Sequence, residues 1–274
     1  DLQTASLFYQ FVRSYETLEQ GLTNYIANLR VRVRRLENSV TRRQNFIEAQ
    51  SELANAEAEL EALETSPNYT PLIRWRLAQV YMKLGRLHEA FWIFRKMIPQ
   101  YPDHENAESI LYSAISLAYD LGKREEAVEL SRRYLDRPAY GEHVDVVTDR
   151  LSTSYFEDKN FEALFALTER HLKRAPDSEA CQRVVFKHGM LRLNRLESAA
   201  MLEEFSRFER LYGSTASGSV LRYFLGVGHL LRQNPETAIG FFEAVLESGH
   251  PQFSADAEFR IAVAVMSLDR LDEA

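Results

Sequence analysis

The segment Leu84-Gly85-Arg86-Leu87-His88-Glu89-Ala90 decides the fold, because related segments return along the chain at nearly equal intervals. Clear copies begin at residues 121, 193 and 268, and weaker ones begin at residues 160 and 234. Aligned on the small or apolar residue that closes each copy, they end at positions 90, 127, 164, 199, 238 and 274. The intervals are 37, 37, 35, 39 and 36 residues, and such a period is the signature of a repeat architecture.

Each copy of the segment joins two stretches that have helical periodicity. Gly85 supplies the left-handed conformation that ends a helix, so we expect a turn there and also near Gly122, Asn194 and Gln233. Apolar residues lie on one face of each flanking helix, at Leu77, Ala78, Tyr81 and Leu84 before the turn and at Ala90, Phe94 and Ile98 after it. We therefore predict an all-α chain in which small residues such as Ala90 are buried where two helices cross.

This pattern resembles the tetratricopeptide repeat (TPR) family, whose characteristic positions fall on Leu77, Ala78, Tyr81, Gly85, Ala90, Phe94 and Pro102. The resemblance implies a right-handed superhelix of about six helix-turn-helix repeats over residues 68–274, the last of them incomplete. The third copy departs from the family with Lys159 and Leu164 in place of Gly and Ala. At the end of the chain we expect an uncovered apolar edge that includes Ile261 and Val265. A further helix, a second copy or a partner would cover this edge.

Residues 1–66 are predicted to form a separate helical, coiled-coil segment. No Gly or Pro occurs between Gly21 and Pro67, so the sequence favours one long helix. Arginines crowd residues 30–43 and glutamates crowd residues 48–64, which suits an antiparallel pairing of two chains. The apolar seam would then mediate self-association, through Leu29, Val33, Leu36, Val40 and Ile47. Two other uses stay open, namely packing on the repeats and arginine contacts to nucleic acid or anionic lipid.

The sequence carries little that points to catalysis. No two of its seven histidines lie four residues apart, so a helical zinc site has no support. A single cysteine, Cys181, excludes an internal disulfide and is expected to be a buried structural thiol. The net charge of −7 disfavours a general nucleic-acid binder. We predict a non-enzymatic protein without cofactor or metal.

The resemblance implies that partners lie along the concave face, which is built from the first helix of each repeat. The family's lining positions correspond here to Trp75, Gln79, Lys83, Tyr112, Ser116, Tyr119, Phe156, His188, Tyr223 and Phe259. We therefore expect a protein-protein interaction scaffold, with an architectural, self-assembling protein as the alternative. A coiled-coil segment followed by repeats is also similar to bacterial envelope proteins of the Tol–Pal-associated and outer-membrane-assembly kinds. That likeness favours the periplasm or cell envelope over the cytoplasm.

Overall fold

All regular secondary structure of the chain is helical wherever the computed structural model describes it, which is over residues 1–37 and 42–268. Helix accounts for 80% of this described part, and no strand occurs in it. The predicted all-α, TPR-like class is confirmed. The fourteen helices of the described residues are α1 (Leu2–Phe11), α2 (Tyr15–Glu37), α3 (Arg43–Glu64), α4 (Thr70–Lys83), α5 (Leu87–Gln100), α6 (Ala107–Asp120), α7 (Arg124–Leu135), α8 (Val144–Glu157), α9 (Phe161–Arg174), α10 (Glu179–Asn194), α11 (Ser198–Tyr212), α12 (Ser217–Leu231), α13 (Pro235–Glu247) and α14 (Ser254–Ser267).

The turns inside the repeats follow a strict 37-residue period. Left-handed φ angles of 73°, 68°, 52°, 58° and 60° fall at Gly85, Gly122, Lys159, Leu196 and Gln233. The predicted turns at residues 85, 122 and 233 are therefore confirmed. The turn predicted near residue 194 is wrong by two positions, because α10 continues through residue 194 and the chain reverses at residue 196.

The same two-residue shift corrects the alignment of the fourth copy. Ala199, which the sequence aligned with Ala90, is exposed, whereas Met201 is fully buried and occupies the equivalent position. The Leu-Asn-Arg-Leu sequence at residue 193 imitates Leu84-Gly85-Arg86-Leu87, but Asn194 still belongs to the helix. Ala90 and Ala127 are fully buried, as expected for positions of close helix approach.

The chain divides into two compact units, residues 1–123 and residues 124–274. In the first unit α1 packs on α4, and the Gln10 side chain donates a 2.6 Å hydrogen bond to the Tyr81 hydroxyl. Also in this unit, the backbone N–H at the start of α2, Tyr15, donates to the Thr70 hydroxyl at 2.7 Å. The domain boundary expected near residue 66 stays a prediction.

The N-terminal segment forms three helices, α1 to α3, so the prediction of one long helix is supported only in part. Helices α2 and α3 pack along each other as an arm with its own small core of Ile26, Leu29 and Ala56. Arg30 pairs with Glu57 and Arg32 pairs with Glu52, each at 2.8 Å. The complementary charge blocks are thus matched within one chain, where two chains had been expected.

This arm also corrects the predicted self-association seam. Leu29 is buried against α3 and is not available to a second chain. Val33 and Leu36 are half-buried, and Ile47 is 52% exposed. Val40 lies outside the described residues.

The apolar edge expected on α14 is present, but on other residues than predicted. Val265 is buried and Ile261 packs against the core of the second unit, because this face of α14 contacts α13. The exposed row is formed by Phe259, Val263 and Met266. Residues 269–274, including the predicted start of a further helix, lie outside the described residues.

Candidate interaction groove

An open groove of about 590 Å³ lies among α10, α12 and α14 in the second unit. The first helices of successive repeats supply its walls, and the connection from α13 to α14 closes one side. Its lining residues are Glu179, Gln182, Arg183, Phe186, Val220, Tyr223, His250, Pro251, Gln252, Phe253 and Asp256. Its volume is within the range typical of sites that bind small molecules.

Three aromatic rings form the floor of the groove. Phe253 stacks on Tyr223 with ring centroids 4.7 Å apart and lies 5.8 Å from Phe186. Phe253 and Tyr223 are almost fully covered, whereas Phe186 is 37% exposed. Rings held in this way offer a rigid apolar surface at low entropic cost to a ligand.

A hydrogen-bonded acid anchors one end of this floor. The Tyr223 hydroxyl donates to Oδ2 of Asp256 at 2.5 Å, and Nε of Arg260 donates to the same oxygen at 2.5 Å. Burial, together with the hydrogen bond to Asp256, raises the pKa of Tyr223 to about 12. Burial opposes ionisation of Asp256, but the hydrogen bonds from Tyr223 and Arg260 lower the pKa of its carboxyl. The phenol and the carboxylate therefore keep their neutral and charged forms at neutral pH.

The opposite rim is polar and largely neutral. His250 and Gln182 form a 3.0 Å hydrogen bond between Nε2 and Oε1, which requires Nε2 of the imidazole to carry the proton. Burial lowers the pKa of His250, and this favours the neutral ring. The Gln182 carboxamide is thus oriented by His250, and its NH₂ group is directed away from this bond.

Charges beside the groove are paired with one another. Arg183 lies 3.3 Å from Glu179 and 3.2 Å from Asp149, and Lys187 lies 2.8 Å from Asp149. Burial opposes ionisation of Asp149, but the hydrogen bond and charge of Lys187 lower its pKa. The charged side chains beside the groove are therefore matched within the chain.

Of the predicted partner-binding residues, Tyr223 lies in the groove, but its ring is largely covered. Phe259 is 67% exposed on α14, and Phe156 is half-buried at the equivalent face of α8. Apart from His188, the remaining predicted residues belong to the first unit. There Lys83 is exposed and the others are half-buried on α4 and α6, namely Trp75, Gln79, Tyr112, Ser116 and Tyr119. These assignments remain predictions.

His188 is wrong as a surface residue, because its side chain is fully buried. Its Nε2 donates to Oε2 of Glu204 at 2.8 Å, and Arg192 Nη2 donates to the same oxygen at 3.0 Å. The ring also stacks on Phe165, with centroids 3.9 Å apart. Burial lowers the pKa of His188, so the neutral imidazole belongs to the core of the repeat.

Two aromatic groove residues were missed from the sequence, and for different reasons. Phe186 occupies the position equivalent to Trp75 and Tyr223 once the fourth copy is shifted by two residues. A 37-residue period imposed on the whole chain would have found it. Phe253 lies between α13 and α14, where the repeat pattern assigns no function.

No feature of the described residues supports chemistry in the groove. The described part of the chain contains no group of three or more His, Cys, Asp or Glu side chains that could hold a metal ion. Cys181 is buried, and burial raises the pKa of its thiol to about 11, which suppresses the nucleophilic thiolate. None of the helices over residues 1–37 and 42–268 combines the length and apolarity needed to cross a membrane.

Comparisons with known proteins found fold neighbours only. No protein-family model and no curated protein matches the chain. Among solved structures, YrrB, described as a TPR protein with an unusual peptide-binding site, is 15% identical with a TM-score of 0.40, and the match covers 65% of this chain and 85% of YrrB. A thermophilic TPR protein from Thermus thermophilus is 15% identical with a TM-score of 0.36, covering 72% of this chain and 99% of that chain. A tetratricopeptide repeat protein from Parabacteroides merdae is 13% identical with a TM-score of 0.38, covering 92% and 98%. At these identities the likeness concerns the helical fold alone.

Proposed function

We propose that the chain is a non-enzymatic scaffold that holds a segment of another protein in the groove among α10, α12 and α14. The observation that carries this proposal is the aromatic floor, in which the covered, stacked rings of Phe253 and Tyr223 hold the partly exposed ring of Phe186 in place. A preformed apolar surface of this kind binds without first having to become ordered.

The polar groups of the groove suit a peptide better than a charged metabolite. Gln182 offers its amide N–H groups at one rim, where a partner backbone carbonyl can accept them. The carboxylates of Asp256 and Asp149 already accept hydrogen bonds from tyrosine, arginine and lysine side chains. A partner segment would therefore place an apolar side chain against Phe186 and use its backbone for the remaining contacts.

A displayed random-peptide library selected on the immobilised chain tests this proposal. Selected peptides should bind the soluble chain in fluorescence anisotropy, and Phe186→Ala should weaken that binding about tenfold or more, as expected for a central aromatic contact. Leu211→Ala is the matched control, because Leu211 is 65% exposed on α11 and does not line the groove. Equal dissociation constants for the wild type and Phe186→Ala would contradict the assignment.

A further inference from the structure

Charge is distributed unevenly along the α2–α3 arm. The charges of Arg30 and Arg32 in α2 are neutralised, since these residues pair with Glu57 and Glu52 of α3. Its helices contain 23 and 22 residues and share a core of their own. The arm is therefore a structural element with its own core. Its free end is the end at which α2 finishes, at Glu37, and α3 begins, at Arg43.

The free end of the arm is strongly basic. Arg34, Arg35, Arg42 and Arg43 are all exposed, and among the described residues none of them forms an ion pair. Glu37 is the single acid in the sequence from residue 30 to residue 47, and residues 38–41 read Asn-Ser-Val-Thr. Like charges so close together repel, and the arrangement is stabilised when an anion joins them.

An open cavity of about 490 Å³ lies at this end of the arm. Three arginines, Arg32, Arg35 and Arg42, line it together with the carboxamides of Asn28 and Asn45. Its described lining includes no carboxylate, although Arg32 also donates to Glu52 at 2.8 Å. The cavity therefore presents many N–H donors and positive charge, and no described carboxylate matches the charges of Arg35 and Arg42.

The groove of the second unit provides a contrast within the same protein. There Arg183 lies within 3.3 Å of two carboxylates and Arg260 donates to Asp256 at 2.5 Å. A net charge of −7 means that acids are plentiful in this chain, yet over residues 1–37 and 42–268 none forms an ion pair with Arg35 or Arg42. Arginines at the groove pair with carboxylates of the same chain, whereas Arg35 and Arg42 at the free end of the arm pair with no described carboxylate.

We propose that the cavity at the end of the arm binds a phosphate group, through the guanidinium groups of Arg35 and Arg42 with Arg32 and the two asparagines as further donors. A phosphate ester has three acceptor oxygens and a charge close to −2, which match several guanidinium forks at once. A carboxylate has only two oxygens and would leave most of these donors unused. The phosphate group can belong to a lipid headgroup or to a soluble phosphate compound, and the two sources are separable by experiment.

Two probes applied to the full chain test this proposal. Inositol hexakisphosphate, measured by isothermal titration calorimetry, represents the soluble source. Vesicles of phosphatidylcholine, with and without phosphatidic acid, represent the lipid source in co-sedimentation. We expect binding to at least one probe, and Arg35→Gln with Arg42→Gln should weaken it about 25-fold, or about fivefold for each arginine removed.

The matched control is Arg133→Gln with Arg210→Gln, which changes the net charge equally at two exposed arginines outside the cavity. It should leave binding within about twofold of the wild type, a difference far below the effect of one arginine contact. Binding of inositol hexakisphosphate alone assigns a soluble ligand, and binding of phosphatidic acid vesicles alone assigns a lipid headgroup. Binding to neither probe, or an equal loss in the control, would overturn the proposal. Unchanged circular dichroism of both double variants excludes misfolding as the cause of any loss.

Discussion

Gly226 of α12 lies directly against the ring of Phe242 in α13, so that a Cβ atom at residue 226 would fall 2.7 Å from ring atom Cε1. Phe242 is fully buried and cannot move aside without disturbing the core. We expect Gly226→Ala to lower the free energy of unfolding by roughly 1–2 kcal/mol, despite the better helix propensity of alanine. Urea unfolding followed by circular dichroism measures this change.

Gly240 provides the control for that prediction. It lies in the middle of α13, and a Cβ there would meet no atom within 4 Å. Gly240→Ala should therefore raise the free energy of unfolding by about 1 kcal/mol through helix propensity alone. If both alanine variants were stabilised, the close contact between α12 and α13 would be wrong.

Leu196 is held in the left-handed region, with a φ of 58°, although its side chain is 89% exposed and gains little from packing. A bulky residue is strained in this conformation and glycine is not. Leu196→Gly should raise the melting temperature and stabilise the chain by about 0.5–1 kcal/mol. Gly85→Ala, at a φ of 73° with open space around it, should have the opposite sign. A loss of stability in Leu196→Gly would refute the turn geometry.

Glu204 joins His188 and Arg192 in the core of the fourth repeat. Burial opposes its ionisation, but the hydrogen bond from His188 and the charge of Arg192 lower the pKa of Glu204. Glu204→Ala removes the acceptor that His188 and Arg192 share, while Arg192 keeps Glu197 at 2.7 Å, and it should cost about 3 kcal/mol in urea unfolding. The adjacent exposed residue is the control, and Glu203→Ala should change stability by less than about 0.5 kcal/mol. Similar effects of the two variants would show that the buried network contributes little.

The thiol of Cys181 should be inert in the folded chain. Burial raises its pKa from 9.0 to about 11, so the protonated form stabilises the fold fully below about pH 9. As the pH rises from 9 towards 11, the unfolded chain releases this proton first and stability falls. A disulfide reagent at pH 8 should label Cys181 only after denaturant is added, and Cys181→Ala should show a shallower alkaline loss of stability than the wild type. Rapid labelling of the folded chain would contradict the buried position.

Sequence periodicity was sufficient to predict the helical hairpins, because Gly85 and Gly122 mark turns whose left-handed backbone conformation glycine adopts without strain. It failed by two residues in the fourth copy, where Leu196 takes the left-handed position without any residue-type signal. This error carried over to the groove, because the predicted His188 lies two residues before Met190, the true counterpart of Gln79, and the aromatic Phe186 was missed. Phe253 could not be found from repeat positions, since its position depends on the packing of α13 against α14.

The arm shows a second limit of pattern reading. The complementary charge blocks were recognised in the sequence. Their charges match equally well whether the blocks pair between two chains or within one chain. Intrachain pairing is favoured because a short connection gives the second helix a very high effective concentration. The contact between Arg30 and Glu57 identifies which of the two occurs.

The constant spacing of the left-handed residues also bears on how such a chain can change in length. Lys159 and Leu196 occupy the same place in successive hairpins, so deletion of residues 160–196 would join Lys159 to Glu197 and leave a hairpin of α8 and α11 with an intact turn. Every side chain beyond the junction would keep its inward or outward orientation. Gene duplication or loss in whole steps of one repeat is therefore compatible with this architecture, whereas an insertion of two residues within a helix would turn its buried face towards solvent.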